Sequence, residues 1–136
     1  MQKLSINTSQ KKQVIDLTRI LNDFLMKNAF NEGVVFLFLT HTTCALTTAD
    51  LDPGTDLDYL AAFEALIPKL EYKHQHDPSH VGDHILSATI GTSLTLQVQS
   101  ASLVLGQWQR VVLLEFDGPR ERRLSLTFLP MTSSPL

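Results

Sequence analysis

The stretch VVFLFLTHTTCALTTADLDP, residues 34–53, changes character abruptly near its middle. Its first six residues are apolar, and a short continuous apolar run is typical of a β-strand buried on both faces. We expect this strand to cover residues 33–40. A turn needs only Gly, Pro, Asn or Asp, yet His41, several threonines and Cys44 follow the strand. These polar groups are therefore the first candidates for a functional site.

The residues before and after this run predict one more strand and two or three helices. Leu4, Ile6 and Thr8 alternate with polar residues, which indicates a first strand. Apolar residues at helical spacing predict a helix over residues 17–25. Thr55 and Asp58 have the spacing of a capping box and predict a second helix that ends before Pro68. Its expected buried stripe consists of Leu57, Leu60, Phe63 and Ile67. A short helical turn is expected near residues 83–91.

The C-terminal third has a period of two, which predicts antiparallel strands. These strands are expected at residues 94–98, 108–116 and 124–128, with a turn at DGPRE, residues 117–121. Trp108 is expected in the core or in a pocket wall. The predicted class is therefore α+β with mostly antiparallel sheet. One domain is expected over residues 1–136, with a frayed tail from about residue 130.

Composition limits the classes of function. The chain has 136 residues, 43% of them hydrophobic, a net charge of −3 and a pI near 5.9. This charge argues against a nucleic-acid-binding module. The longest apolar run, Val34–Leu39, is much shorter than the roughly 20 residues that span a bilayer. A single cysteine and an N-terminus without an apolar segment favour a cytoplasmic protein with no membrane partner.

Four of the five histidines lie in HQHDPSHVGDH, residues 74–84. The spacings His-x-His and His-x-x-x-His can both present imidazoles to one metal ion. The alternative is a solvated polar loop in which histidines are simply tolerated.

Three further groups allow two interpretations each. Cys44 is either a nucleophile or a small core residue. Glu115 interrupts the apolar run VVLLEF, so it is either solvated at the strand's end or kept buried for acid–base work or contact with a cation. The arginines near the DGPRE turn either bind phosphate or carboxylate, or form a solvated hairpin end. They are Arg110, Arg120, Arg122 and Arg123.

An ordered set of short motifs resembles the YjbQ-type family, often labelled secondary thiamine-phosphate synthase. The motifs are HTTCALT (41–47), DP (52–53) with Asp58, YKH (72–74), HILSATIGTSL (84–94), LGQWQ (105–109), LLEFDGPR (113–120) and RRLSLT (122–127). They span nearly the whole chain in order. The resemblance implies a two-sheet sandwich assembled as a homotrimer.

The resemblance also ranks the candidate site residues. His41, His74 and His84 fall on motif positions and are expected to bind a divalent metal or act as catalysts, whereas His76 and His80 fall in a variable connector. The apolar strand is then a rigid support that delivers His41 to a pocket. Glu115 is expected to be catalytic. The expected substrate-binding residues are Ser93, Gln109, Arg120, Arg122 and Arg123.

The implied activity joins hydroxymethylpyrimidine diphosphate to a thiazole phosphate and releases pyrophosphate, with Zn, Ni or Mg as the metal. The expected partner is therefore a phosphorylated small-molecule substrate. The alternative is a metal- or anion-binding regulatory trimer without turnover. One departure bears on this choice, because TADL stands where the family carries Asn-Glu-Asn, and Asp50 is the only acid there that could replace the Glu.

Overall fold

A computed structural model describes residues 1–132, which form eight strands and three helices. The strands are β1 (Gln2–Asn7), β2 (Gln13–Asp16), β3 (Gly33–Leu39), β4 (Cys44–Ala49), β5 (Ser93–Gln99), β6 (Ser102–Leu103), β7 (Arg110–Glu115) and β8 (Glu121–Pro130). The helices are α1 (Thr18–Lys27), α2 (Thr55–Leu66) and α3 (Val81–Ile90), and a 3₁₀ turn at Pro78–His80 leads into α3.

The strands form two antiparallel sheets, which confirms the predicted α+β class and two-sheet arrangement. The larger sheet has the order β1-β8-β3-β5-β6 and the smaller one β2-β7-β4. Gly33 is required where β3 meets β8, because an added Cβ would lie 2.2 Å from the carbonyl oxygen of Leu129.

Two apolar layers hold the molecule together. The first lies between the sheets and includes α1; its buried members include Leu37, Leu46, Leu113, Leu124 and Leu126. The second lies on the other face of the smaller sheet, where α2 and α3 cover Ala45, Val112, Leu114 and Phe116. Each fully buried leucine or valine contributes about 1.5–3 kcal/mol, so β7, with residues in both layers, is the centre of the fold.

The prediction that the strand of residues 33–40 is buried on both faces is wrong for the single chain. Phe36 and Phe38 are 44% and 47% exposed on the outer face of the larger sheet, since no element covers that face among the described residues. The strand that is buried on both faces is β7, whose residues 111–115 are all buried.

Other sequence expectations also need correction. Thr55 does not cap α2, because the N-cap is Gly54 and no side chain bonds there. Leu57 is 67% exposed and α2 has no fully buried residue; its apolar contact is made by the partly buried Phe63, with Ile67 just after the helix. Trp108 is 66% exposed and precedes β7, so it is not a core residue; of its two expected positions it takes the one in a pocket wall, because it lines a small cleft.

The C-terminal strand continues further than expected. β8 runs to Pro130, and the N–H of Met131 still donates to the carbonyl oxygen of Glu32. The expected frayed tail therefore does not begin at residue 130. Residues 133–136, the last part of that expected tail, lie outside the described residues.

Candidate functional site

Three half-buried histidines converge beside the smaller sheet. His74, His80 and His84 each offer a ring nitrogen, and these atoms lie within 4.8 Å of one another. Their ring centroids are 5.0–5.1 Å apart. We call these three residues the histidine cluster. His80 and His84 share one face of the 3₁₀ turn and α3, because residues four apart in a helix are neighbours.

The sequence DPS, residues 77–79, builds the turn that places His80. Asp77 accepts hydrogen bonds from the backbone N–H and the hydroxyl of Ser79, and Pro78 occupies the first position of the turn. The Ser79 hydrogen bonds keep the pKa of Asp77 below its usual value, so this carboxylate remains a charged acceptor. Asp77 also donates its backbone N–H to Nδ1 of His74 at 3.1 Å, which ties His74 to the turn that carries His80.

Hydrogen bonds to the rings determine which nitrogens are free. Nδ1 of His84 lies 3.0 Å from the carbonyl oxygen of Thr42. A carbonyl only accepts, so Nδ1 carries the proton and Nε2 is left as a ligand atom. This is the usual arrangement around a metal-binding histidine. In His74, Nδ1 accepts the N–H of Asp77. A metal on Nδ1 would displace this hydrogen bond. A metal on Nε2 would require the ring proton on Nδ1, which could then no longer accept it.

The histidine cluster differs from the expected set of His41, His74 and His84. His41 is not a member within the described residues; its Nε2 accepts the backbone N–H of Arg123 at 2.7 Å. Burial, and then the charge of Arg122, lower the pKa of His41, which favours the neutral ring that accepts this bond. The third imidazole is that of His80, which the family motifs assign to a variable connector.

A second group of possible ligands shares His80 and contains Asp83 and Asp117. Both carboxylates already have cationic partners. Lys12 Nζ lies 3.4 Å from Asp83, and Lys11 Nζ lies 3.3 Å from Asp117. This group is therefore an ion-pair network next to the histidine cluster.

Glu115 and Arg122 form a buried ion pair between the two sheets. Strand alternation places Glu115 on the same face as Val111 and Leu113, and places Arg122 on the same face as Leu124. The two side chains are 0% and 1% exposed. Arg122 donates Nε to Oε2 of Glu115 at 2.8 Å and a second hydrogen bond from Nη2 to Oε1.

Every polar contact of this pair points inward. Glu115 also accepts from the hydroxyl of Thr8 and the N–H of Asp117, and Arg122 also donates to the carbonyl and hydroxyl oxygens of Thr43. Burial alone would raise the pKa of Glu115, but the hydrogen bonds from Arg122, Asp117 and Thr8 lower it. The structure thus presents neither Glu115 nor Arg122 to a substrate; the pair is structural and positions Thr43.

The other expected substrate contacts lie in different parts of the surface. Ser93 is exposed at the start of β5, and the exposed Arg123 side chain pairs with Glu121. Gln109 bonds to Gly106 in the loop before β7. Only Arg120 lies near the cluster, through its contacts with Asp117, 2.9 Å from Nη2 to Oδ2.

Cys44 is fully buried, and burial raises the pKa of its thiol to about 11. A thiol in this environment stays protonated at neutral pH, so it acts as a small core residue.

Comparison with known proteins identifies the family. A family model described as UPF0047 protein, YjbQ-like, matches residues 2–131. The chain belongs to the YjbQ-like UPF0047 family. It is 32% identical to UPF0047 protein YugU of Bacillus subtilis over 123 residues, covering 90% of this chain and 93% of that protein. It is 34% identical to a UPF0047 protein of Archaeoglobus fulgidus, covering 90% and 95%.

Solved structures of similar proteins agree with this assignment. A YjbQ/UPF0047 family protein from Clostridium acetobutylicum superposes with a TM-score of 0.84 and 30% identity, covering 95% of this chain and all of that one. A hypothetical protein from Aeropyrum pernix K1 gives a TM-score of 0.87 with 28% identity, covering 96% and 98%.

Asp50, the acid that stands where the family pattern carries a glutamate, is found outside the histidine cluster. It lies just after β4 and lines a cleft of about 150 Å³ together with Asp16, Trp108 and Arg110. Within residues 1–132 it belongs to neither group of possible metal ligands.

The signal for His80 was present in the sequence as the spacing His80-x-x-x-His84. His80 lies outside the family motifs, so motif positions alone favour His41 over it. The same part of the chain, residues 1–132, contains no helix with the length and apolar composition needed to cross a bilayer.

Proposed function

We propose that this protein is a metal-supported transferase of the thiamine-phosphate-synthase type, which joins hydroxymethylpyrimidine diphosphate to a thiazole phosphate and releases pyrophosphate. The observation that carries the proposal is the histidine cluster, which opens onto a groove of small-molecule size at His80. Departure of a diphosphate requires cationic stabilisation of the negative charge that develops on it. A metal ion held by His74, His80 and His84 would supply it.

The donor chemistry of the cluster restricts the metal. Three neutral imidazoles suit Zn or Ni, whereas Mg prefers oxygen ligands. Of the three metals that the sequence suggested, the cluster therefore favours Zn or Ni. The ring orientation of His84, fixed by the Thr42 carbonyl, supports this use because ligating histidines usually donate their second nitrogen to such an acceptor.

The buried ion pair holds the backbone that contacts the cluster. Arg122 holds both oxygens of Thr43, and the neighbouring Thr42 carbonyl orients His84. In this proposal Glu115 and Arg122 act as positioning residues. Arg120 lies on the side of Asp117 and is the arginine best placed to meet a phosphate group.

We also propose that the protein works as a homotrimer whose subunits meet through the outer face of the larger sheet. That face carries Phe36, Phe38 and Leu129, which are 44%, 47% and 58% exposed. Neighbouring exposed apolar side chains of this size are typical of an association surface. The trimeric count itself rests on the family resemblance.

Alanine variants of individual histidines test the proposal. We expect tag-free protein equilibrated with zinc to bind one ion per chain and to form thiamine phosphate from the two substrates. His80→Ala and His84→Ala should each weaken zinc binding by more than about 100-fold, which exceeds the 10–100-fold typical of residues that only orient ligands. Metal analysis and product formation are the two measurements.

His76→Ala is the matched control, because His76 is an exposed histidine of the same connector outside the cluster. It should keep both the metal and the activity. Thiamine phosphate formation by His84→Ala at the rate of the unchanged protein would contradict the proposed mechanism. Loss of zinc on His41→Ala with retention on His80→Ala would show that the ligand set is wrong.

A second candidate function is metal or anion binding without turnover, in a regulatory role. It is favoured by Ala49 and Asp50, which stand in place of the family's Asn-Glu-Asn stretch without bringing a carboxylate to the cluster. In that case zinc would bind as above, yet no pairing of the two substrates would give product above the His84→Ala background.

A further inference from the structure

A groove of about 630 Å³ runs beside the histidine cluster. His80 belongs to the cluster and also lines the groove. Its walls come from the β1–β2 loop, the end of α2 and parts of residues 67–86. Small-molecule sites usually measure about 300–1,000 Å³. A bare phosphate ion would leave most of this volume empty, so the groove fits a ligand with a carbon framework.

Lys11 and Lys12 bring two ammonium groups to one side of the groove. Lys11 is 66% exposed and Lys12 37% exposed, and each contacts a carboxylate at 3.3–3.4 Å, the outer limit of a hydrogen bond. The ion pair of the exposed Lys11 contributes little to stability, so its ammonium group is available to a competing anion. The Lys12 pair involves a carboxylate that is only 10% exposed, so Lys12 can meet an anion only while it keeps this contact.

The carboxylates determine how each lysine would respond to a ligand. Asp83 is 7% exposed, so its charge needs Lys12, whose ammonium has three N–H donors. Lys12 can keep Asp83 with one donor and offer the others to a phosphate. Asp117 also accepts from Arg120, so it remains paired if Lys11 turns towards the ligand.

Apolar side chains form another part of the groove wall. They are Ile67, Pro68, Leu70 and Leu86, with Tyr72 beside them. Leu70 is 66% exposed, and contact with an aromatic ring would remove part of its surface from water. Glu64 and Asp77 also line the groove and are acceptors for N–H groups on such a ring.

We propose that this groove binds a phosphorylated aromatic or heteroaromatic ring, with the phosphate on Lys11 and Lys12 and the ring on the Leu70 wall. The inference rests on the proposed function for the class of reaction, and it adds the binding place and two lysines that no family motif indicated. Asp83 acts as the positioning residue for Lys12.

Phenyl phosphate and inorganic phosphate are suitable probes, measured by calorimetry at fixed ionic strength with metal-free and with zinc-loaded protein. We expect Lys12→Gln and Lys11→Gln each to weaken binding of both probes by about tenfold, the usual scale for a hydrogen bond to a charged group. Leu70→Ala should weaken phenyl phosphate by about threefold and leave inorganic phosphate unchanged.

Lys27→Gln is the matched control, since this exposed lysine ends α1 and does not line the groove. Equal affinities of Lys12→Gln and Lys27→Gln for phenyl phosphate would overturn the proposal, and so would an absence of saturable binding to the unchanged protein. Lysine-dependent binding by a protein that holds no zinc and makes no product would support this proposal and reject the proposed function.

Discussion

Glu115 and Arg122 show how much depends on two charged residues. Neither charge is accessible to water, and removing one partner from such a pair leaves the other charge uncompensated. Their hydrogen bonds to Thr8, Thr43 and Asp117 connect the two sheets at the end of the sandwich nearest the histidine cluster. The pair therefore contributes both to folding and to the order of the site.

Glu115→Gln should lower the free energy of unfolding by about 3–5 kcal/mol at neutral pH. The same carboxylate produces a pH dependence. Its pKa in the folded protein lies below the ordinary value of 4.5, so its stabilising effect is present above pH 4.5 and decreases as the pH falls through the folded-state pKa. Urea unfolding between pH 7 and pH 3 measures both effects.

Glu121→Gln is a suitable control, because this carboxylate is 54% exposed and pairs with the exposed Arg123. Its substitution should change the free energy of unfolding by less than about 1 kcal/mol. If Glu115→Gln lost no more stability than Glu121→Gln, the ion pair would not have the structural role assigned to it.

For individual residues, strand alternation predicts burial that the family motifs do not indicate. Arg122 has the same parity as Leu124 and Leu126, so strand alternation alone places it inside the sandwich, unlike Arg123. The motifs, in contrast, predict a substrate contact for both Arg122 and Arg123. The convergence of His74 with His80 could not be predicted, since it depends on the path of a connector without regular structure.

At the scale of elements, α3 carries His84 and follows directly on the turn that carries His80. It positions Asp83 and His84, Leu86 packs in the helix layer, and the Ser87 hydroxyl donates to the Cys44 carbonyl oxygen at 2.6 Å. The anchoring of this helix on β4 should therefore control the affinity for metal.

Leu86→Ala should destabilise the protein by about 2–5 kcal/mol and also weaken zinc binding, because α3 loses its main apolar contact. Leu113→Ala, a substitution of the same chemistry between the sheets, should cost similar stability without affecting zinc. Calorimetric titration at a temperature where both variants are folded compares them. Equal zinc affinities of the two variants would show that zinc binding does not depend on the packing of α3.

Element prediction succeeded where apolar periodicity was strong and failed elsewhere. The α+β class, α1 and the C-terminal strands followed from spacing. β4 was missed because its threonines, Thr47 and Thr48, obscure the apolar pattern of Cys44–Ala49, and β2 has only four residues. The partial exposure of β3 could not be predicted because an apolar run does not reveal how many layers cover it.

At the scale of the molecule, the layers are α2 and α3, the smaller sheet, and the larger sheet. Within residues 1–132, no element covers the outer face of the larger sheet. This is where the proposed trimer would bury Phe36 and Phe38, and there β3 would be covered on both faces, as its composition suggested.

Phe36→Glu combined with Phe38→Glu should give a particle of one chain, 15.2 kDa, in light-scattering measurements, whereas the unchanged protein should have three times that mass. Charges in a contact surface oppose association, while half-exposed positions tolerate them in the free subunit. Leu57→Glu, on the exposed side of α2, should remain trimeric. A trimer formed by the double variant would place the contact elsewhere.

The hydrogen bond between the Asp77 N–H and His74 has a kinetic consequence. The connector that carries His74 lies outside both sheets, while β7 is enclosed by two apolar layers. Loosening residues 69–77 therefore takes much less free energy than opening the sandwich. An ion held by the histidine cluster would enter and leave through this local fluctuation, so its residence time would be decoupled from the lifetime of the native state.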